Sequence, residues 1–364
     1  MNDLYQRSIE IILENQSASG AYIASPNFPT YHYCWFRDGS FIAYAMDLAG
    51  QQESAHRFHR WVAERINERR DRVRTGLAKA RSGARLTESE ILHTRYRLDG
   101  TNGEQGNWPN FQLDGFGTWL WALNEHQKQN PDMRLSQGLV DAAELVANYL
   151  TELWSLPCYD CWEEFPDSVH PHTLAAIYGG LQAHTELMGK SPQMVTGAIR
   201  KQLLAGAESP GHFVKFPHSS AVDASLLGLA VPYGVVAPND PIMLRTVEQI
   251  ESTILRDGGL HRYAEDSYYG GGAWVLLTAW LGWYYIELAA KCPDLAPGLQ
   301  PKIQACQDWI ESNAGNNLNL SEQVAENLNI PSYYSIWVER WGEIASPLLW
   351  SHAKYIILHS KKST

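Results

Sequence analysis

Residues Gly271–Leu288, "GGAWVLLTAWLGWYYIEL", are apolar on nearly every side when wound at helical pitch, and a helix of that kind must be surrounded by protein. Working outward, "HTLAAIYGGLQAHTEL" (172–187) and "VDASLLGLAV" (222–231) share the property. "AHRFHRWVAERINERR" (55–70) and "KIQACQDWIESN" (302–313) each carry one polar face instead. Apolar spacing of three or four dominates the chain and strand-like alternation is rare. Capping and breaking residues give about twelve helices, near 2–15, 38–49, 52–74, 114–129, 136–155, 171–188, 192–206, 221–230, 240–255, 270–290, 298–312 and 346–360. The even members are apolar all round and the odd ones have a wet face. That alternation predicts an all-α (α/α)6 toroid, six helical hairpins with inner and outer rings, over a single domain spanning 1–364.

The chain has 364 residues, 45% hydrophobic and 19% charged, without a low-complexity tract, which places it among globular proteins. A formal net charge of -11 argues against nucleic acid as a partner. The one basic run, "RFHRWVAERINERRDRVRTGLAKAR", is interleaved with acids and reads as the solvated face of an outer helix. "MNDLYQRSIEIILENQ" is an amphipathic helix rather than an export signal, so a cytoplasmic protein is expected. Ser267–Ile286 is uncharged and long enough to cross a bilayer, but acids flank it and no cationic anchor is near. A buried helix is the expectation there, with no membrane partner.

Five cysteines without an export signal suggest reduced thiols, and Cys158 and Cys161, a lone C-x-x-C, read as packing residues. His170 and His172 flank a proline instead of standing at the i, i+4 spacing of a helical metal pair, so neither metal nor cofactor is expected. Gly270–Gly272 lacks the strand and spacing of a phosphate loop and reads as a turn with close backbone approach. Nothing in the sequence assigns an oligomeric state.

In an up-down ring the even helices share one end. The connections entering them there are long and aromatic: "YHYCWFRDG", "GNWPNFQLDGFG", "CYDCWEEFPD", "VKFPHSSAVD", "HRYAEDSYYGGGAW" and the stretch from Leu320 to Trp350. With 14 tryptophans and 18 tyrosines in the chain, such a face suits sugar rings, whose CH surfaces stack on aromatics while Asp, Glu and Arg bond the hydroxyls. Cleaving a glycosidic bond requires one protonated and one ionised carboxyl. Trp162-Glu163-Glu164 offers the acid, because an apolar ring against a carboxyl raises its pKa by desolvation, and only one of the two glutamates can face the reacting bond. For the second carboxyl, Glu322, Glu326, Glu339 and Glu343 all precede the last inner helix, and spacing does not choose among them. Asp38 and Asp114, each followed by glycine at an inner-helix start, also read as helix N-caps.

"YHYCWFRDG", "NWPNFQLDGFG", "CWEEF", "HRYAEDSYYGGGAW" and "LSEQV" followed by "PLLWSHA" resemble, in order, the motifs of glycoside hydrolase family 15, the glucoamylases and their relatives. The resemblance implies an inverting, exo-acting hydrolase that frees β-glucose from non-reducing ends. It makes Glu163 the general acid, Glu164 a substrate-binding carboxylate and Glu322 the general base. Arg37, Asp38 and Arg262 would bond sugar hydroxyls, Tyr31 and Trp35 would line the pocket, and Tyr268 and Trp350 match pocket aromatics more loosely. Trp162 would flank the acid, and Trp108 is a candidate subsite wall without a family match. An inverting pair is expected about 6.5–9.5 Å apart. The chain shows neither the β-sandwich before the toroid nor the starch-binding module after it that many relatives carry, so small soluble α-1,4 or α-1,6 gluco-oligosaccharides are the expected substrates. Three carboxylates between Glu322 and Trp350 bear on linkage if that loop covers the pocket. The alternatives are a trehalase-type activity, a phosphorylase, and a non-catalytic sugar sensor on the same toroid. A terpene cyclase would need an aspartate-rich or zinc set that the sequence lacks.

Overall fold

The computed structural model describes residues 3–103, 108–189, 193–315 and 317–362; Asn107, the first residue of one quoted motif, lies outside them. Among the described residues there are thirteen α-helices: α1 (Asp3–Glu14), α2 (Phe36–Leu48), α3 (Gln52–Glu68), α4 (Arg70–Arg81), α5 (Asp114–Gln129), α6 (Gln137–Leu153), α7 (Pro171–Met188), α8 (Gln193–Glu208), α9 (Pro241–Ile254), α10 (Val275–Lys291), α11 (Ala296–Ser312), α12 (Tyr334–Trp341) and α13 (Leu349–Lys362). Two-residue strands pair antiparallel: β1 (Cys34–Trp35) with β2 (Arg95–Tyr96), β3 (Leu255–Arg256) with β4 (Gly259–Leu260), and β5 (Ala273–Trp274) with β6 (Gln323–Val324). The chain divides into two compact units: a first of Gln16–Tyr22 and Tyr33–Gly206, and a second of Met1–Asn15, Ile23–His32 and Ala207–Thr364.

In the first unit α2 packs on α5 and α5 on α7, while α3 and α6 cover them from outside. Every residue of α2 from Phe36 to Asp47 is buried, whereas α3 and α6 bury one face each, as their polarity requires. Helices α5 and α7 approach so closely that a Cβ on Gly117 would stand 2.2 Å from the Ala176 carbonyl oxygen, and one on Gly180 would stand 2.4 Å from that of Gly117. Glycine is required at both positions. In the second unit α10 is buried from Val275 to Tyr285 and packs on α11 and α13, with α1 against α13. No helix of the described residues is long and apolar enough to cross a membrane.

Four expectations are corrected. The helix expected over 52–74 breaks at Arg69, whose guanidinium bonds the Gly100 carbonyl and Asn102 and lies over Tyr96; α4 then runs on to Arg81. The inner helix expected over 221–230 is a short 3-10 turn, Ala224–Leu229, capped by Asp223, whose side chain accepts the Ser225 N–H. Helix α10 begins at Val275, the preceding residues forming a turn and β5. Asp38 and Asp114 are not N-caps: the helices begin one turn-fraction earlier, with Trp35 and Leu113 at the cap positions, and both carboxyls turn to Arg37.

Candidate active site

In the first unit the connections into α2, α5 and α7 converge on Glu163. Its Oε1 accepts N–H bonds from Trp35 Nε1 at 2.7 Å, Gln112 Nε2 at 2.9 Å and Trp108 Nε1 at 3.3 Å. Glu163 sits in left-handed backbone, φ 68, inside a turn clasped by Asp160. Asp160 Oδ1 accepts the N–H groups of Trp162 and Glu164, both at 2.9 Å, while its carbonyl accepts the Glu163 N–H and its own N–H donates to the Glu164 carbonyl, both at 3.0 Å. Trp162 is buried beside this turn, while the indoles hydrogen-bonded to the Glu163 carboxyl are those of Trp35 and Trp108. The Arg95 guanidinium lies 3.3 Å from the Trp108 ring centroid and 4.0 Å from that of Tyr33, fixing the aromatic wall through β2.

Behind that wall Gln112 links two charged groups. Its Oε1 accepts from Arg37 Nη1 at 3.0 Å and Thr94 Oγ1 at 3.1 Å, which orients its amide N–H toward Glu163. Arg37 also bonds Asp114 Oδ2 at 3.1 Å and lies 3.5 Å from Asp38 Oδ2. Burial disfavours the Arg37 charge, but Asp114 and Asp38 outweigh it and hold its pKa above the ordinary value. Burial pushes the Asp38 carboxyl up to about 7; Arg37 pulls it down, and Glu163 and Asp114 push it further up.

In the second unit Tyr31, from the connection before α2, and Tyr268, from that before α10, meet at Glu322, which is 4% exposed. The Tyr31 hydroxyl donates to Glu322 Oε1 at 2.9 Å and lies 2.9 Å from the Tyr268 hydroxyl. Both phenols are held well above their usual pKa, by burial first and by the Glu322 charge second. The β5–β6 ladder fixes the backbone after Glu322, and Ser351 Oγ in α13 donates to the Ser321 carbonyl before it at 2.7 Å, one residue from buried Trp350. Gly272 has no room for a side chain: a Cβ there would be 2.1 Å from the Val324 carbonyl oxygen, the close approach expected of the triple glycine. Arg262 is buried and doubly bonded to Asp266, with the Tyr268 and Trp274 rings 5.4 and 5.1 Å from its guanidinium carbon. Helix α12, which lies in the connection expected to be a loop, packs Trp337 on Tyr268 and Tyr269.

The structure thus gathers Trp35, Arg37, Asp38, Trp108, Trp162, Glu163 and Glu164 in the first unit, and Tyr31, Arg262, Tyr268, Glu322 and Trp350 in the second. Sequence reasoning passed over Gln112, Thr94, Arg95 and Asp160. Only Asp160 left a local signal, an aspartate two residues before the amide it captures. All five cysteines are reduced thiols, and burial pushes the Cys158 thiol up to about 12, so the C-x-x-C is packing rather than a reactive pair. His170 ends at the Cys158 and Phe165 carbonyls.

Buried carboxyls held by indole, amide and phenol donors, on aromatic connections into buried helices, define a carbohydrate-processing enzyme. Residues 1–296 match the model of glycosyl hydrolases family 15, and the chain belongs to that family. It is 39% identical over 367 aligned residues to the isomaltose glucohydrolase of Kribbella flavida, covering 98% of this chain and 92% of that one. A solved glycosidase variant in complex with glucose is 37% identical with a TM-score of 0.92, covering 99% and 96% of the two chains. A bacterial glucoamylase complexed with acarbose shares the fold at a TM-score of 0.74 and 21% identity, over 99% of this chain and 55% of that one. The fold is the expected (α/α)6 toroid, and the protein is a glycoside hydrolase.

Proposed function

We propose that residues 1–364 act as one catalytic domain, an exo-acting inverting α-glucoside hydrolase that releases β-glucose from small α-gluco-oligosaccharides, isomaltose-type α-1,6 linkages first. The observation that carries this reading is the one-sided clothing of the Glu163 carboxyl. Three N–H donors occupy Oε1, so a proton on this group belongs on Oε2, where it can pass to the glycosidic oxygen. Glu322 has Oε1 held by Tyr31, and its Oε2 takes the proton of the attacking water as the C–O bond to the leaving sugar breaks. Asp38, Glu164 and the guanidinium groups of Arg37 and Arg262 bond hydroxyls; Tyr31, Trp35, Trp108, Trp162, Tyr268 and Trp350 supply aromatic surface. The likeness to the Kribbella flavida isomaltose glucohydrolase supports the α-1,6 preference.

The test is a proton NMR time course with isomaltose, maltose and trehalose in separate tubes, read before mutarotation. β-Glucose from isomaltose, faster than from maltose, is expected. α-Glucose first would overturn inversion and the role of Glu322, and no glucose from any tube would overturn the activity.

A further inference from the structure

Away from both carboxyl clusters, Asp47 of α2, His56 and His59 of α3 and His126 of α5 meet inside the first unit. His126 Nδ1 lies 2.8 and 2.9 Å from the two Asp47 carboxylate oxygens. His59 is 0% exposed, its ring centroid 4.9 Å from that of His126, and neither of its nitrogens has a hydrogen-bond partner among the described residues. His126 Nε2 and His56 Nδ1 are buried without partners as well. A neutral imidazole always presents one N–H and one lone pair, and burying both unmet is costly unless something else meets them.

Asp47, His59 and His126 each offer one donor atom, all within 4.8 Å of one another. We propose that these three residues form a structural site for a first-row divalent transition metal ion, zinc by the character of its donors. Two imidazoles and a carboxylate suit zinc; calcium and magnesium take oxygen sets. Donors about 2.0–2.2 Å from a tetrahedral ion stand about 3.3–3.6 Å apart, so the ion is held by drawing the more distant of these atoms inward through small side-chain rotations. The fourth position falls to His56 Nδ1 or a water. Burial keeps His59 neutral, its pKa well below the ordinary value, which is the ligating form. Asp47 offsets half the charge of the ion.

The role is structural because Asp47 lies nine residues beyond Asp38 on α2, roughly 14 Å along the axis from the turn that carries Arg37. An ion there ties α2, α3 and α5 together at the ends remote from Arg37 and Asp114. The set draws on three helices rather than on one helical i, i+4 pair, and so leaves no local signal of a metal in the sequence.

The full chain is stripped with chelator, loaded with zinc, passed over a desalting column and assayed for bound metal and thermal midpoint. One zinc per chain and a raised midpoint are expected. Asp47→Asn, which keeps the hydrogen bond to His126, should weaken binding by about 10–100-fold or more. His59→Leu should abolish the site and the zinc-dependent rise while its metal-free midpoint stays at or above that of the parent. Equal zinc retention by parent and variants, or none by the parent, overturns the proposal. If His59→Leu does not fold, cobalt added to the parent decides: a tetrahedral cobalt spectrum lost in Asp47→Asn supports the site, and its absence from the parent overturns it.

Discussion

Asp38 places a carboxyl in a setting that favours its neutral form, and this makes stability depend on pH in a calculable way. Its pKa rises from an ordinary 3.8 to about 7 in the folded chain, chiefly through burial. The folded state therefore holds a proton that the unfolded state releases near pH 4. Between about pH 4 and 7 the folded state binds more protons, so stability falls as pH rises, and above 7 the loss is complete. At 1.36 kcal/mol per unit the loss is about 4 kcal/mol. Asp38→Asn keeps the shape of the neutral carboxyl and leaves Arg37 its bonds to Asp114 and Gln112. The variant should match the parent near pH 4 and exceed its stability by up to about 4 kcal/mol at pH 8. With an unfolding entropy near 2.1 cal/mol/K per residue, that is about 5 °C in thermal midpoint for a chain of 364 residues. Differential scanning calorimetry of both proteins at pH 4.5, 6 and 8 measures it. A gap that is flat with pH, or that narrows as pH rises, refutes the reasoning. On the proposed role of Asp38 in bonding a sugar hydroxyl, the same substitution should also raise KM.

Glu163→Gln and Glu322→Gln should each lower kcat by about 10²–10⁴ while circular dichroism and thermal midpoint stay near the parent values; near-parental turnover of either would remove it from the proton transfers. Tyr31→Phe deletes one donor to Glu322 and should lower kcat/KM about tenfold to a hundredfold, read from initial rates on isomaltose, with little change in folding. Gly272→Ala places a methyl group against the Val324 carbonyl and should lower stability by about 1–3 kcal/mol, seen as a lower thermal midpoint; an unchanged midpoint would mean that the β5–β6 ladder shifts freely.

The ring of buried and half-wet helices was readable because burial dictates composition. The run of α10 from Val275 to Tyr285 carries no charge, and the few polar residues of α2 up to Asp47 are buried with the rest, whereas α3 kept a charged face. The break at Arg69 was not readable, since no glycine or proline marks it and its cause is a bond to Asn102, 33 residues away. Gln112 was hidden for the same reason: it matters through Arg37 and Glu163, 75 and 51 residues distant. The indole beside Glu163 in sequence, Trp162, drew attention because adjacency suggests contact, but contact is decided by backbone direction. The left-handed turn at Glu163 instead brings its carboxyl to Trp35 and Trp108. A non-glycine residue in that conformation is strained by about 1–2 kcal/mol, and here Asp160 offsets the strain by capturing the N–H groups on either side. The chain thus spends four residues, Asp160 to Glu163, on aiming a single carboxyl. Gln112, anchored by Arg37, then adds its amide to the indoles of Trp35 and Trp108 on one of the carboxyl's two oxygens.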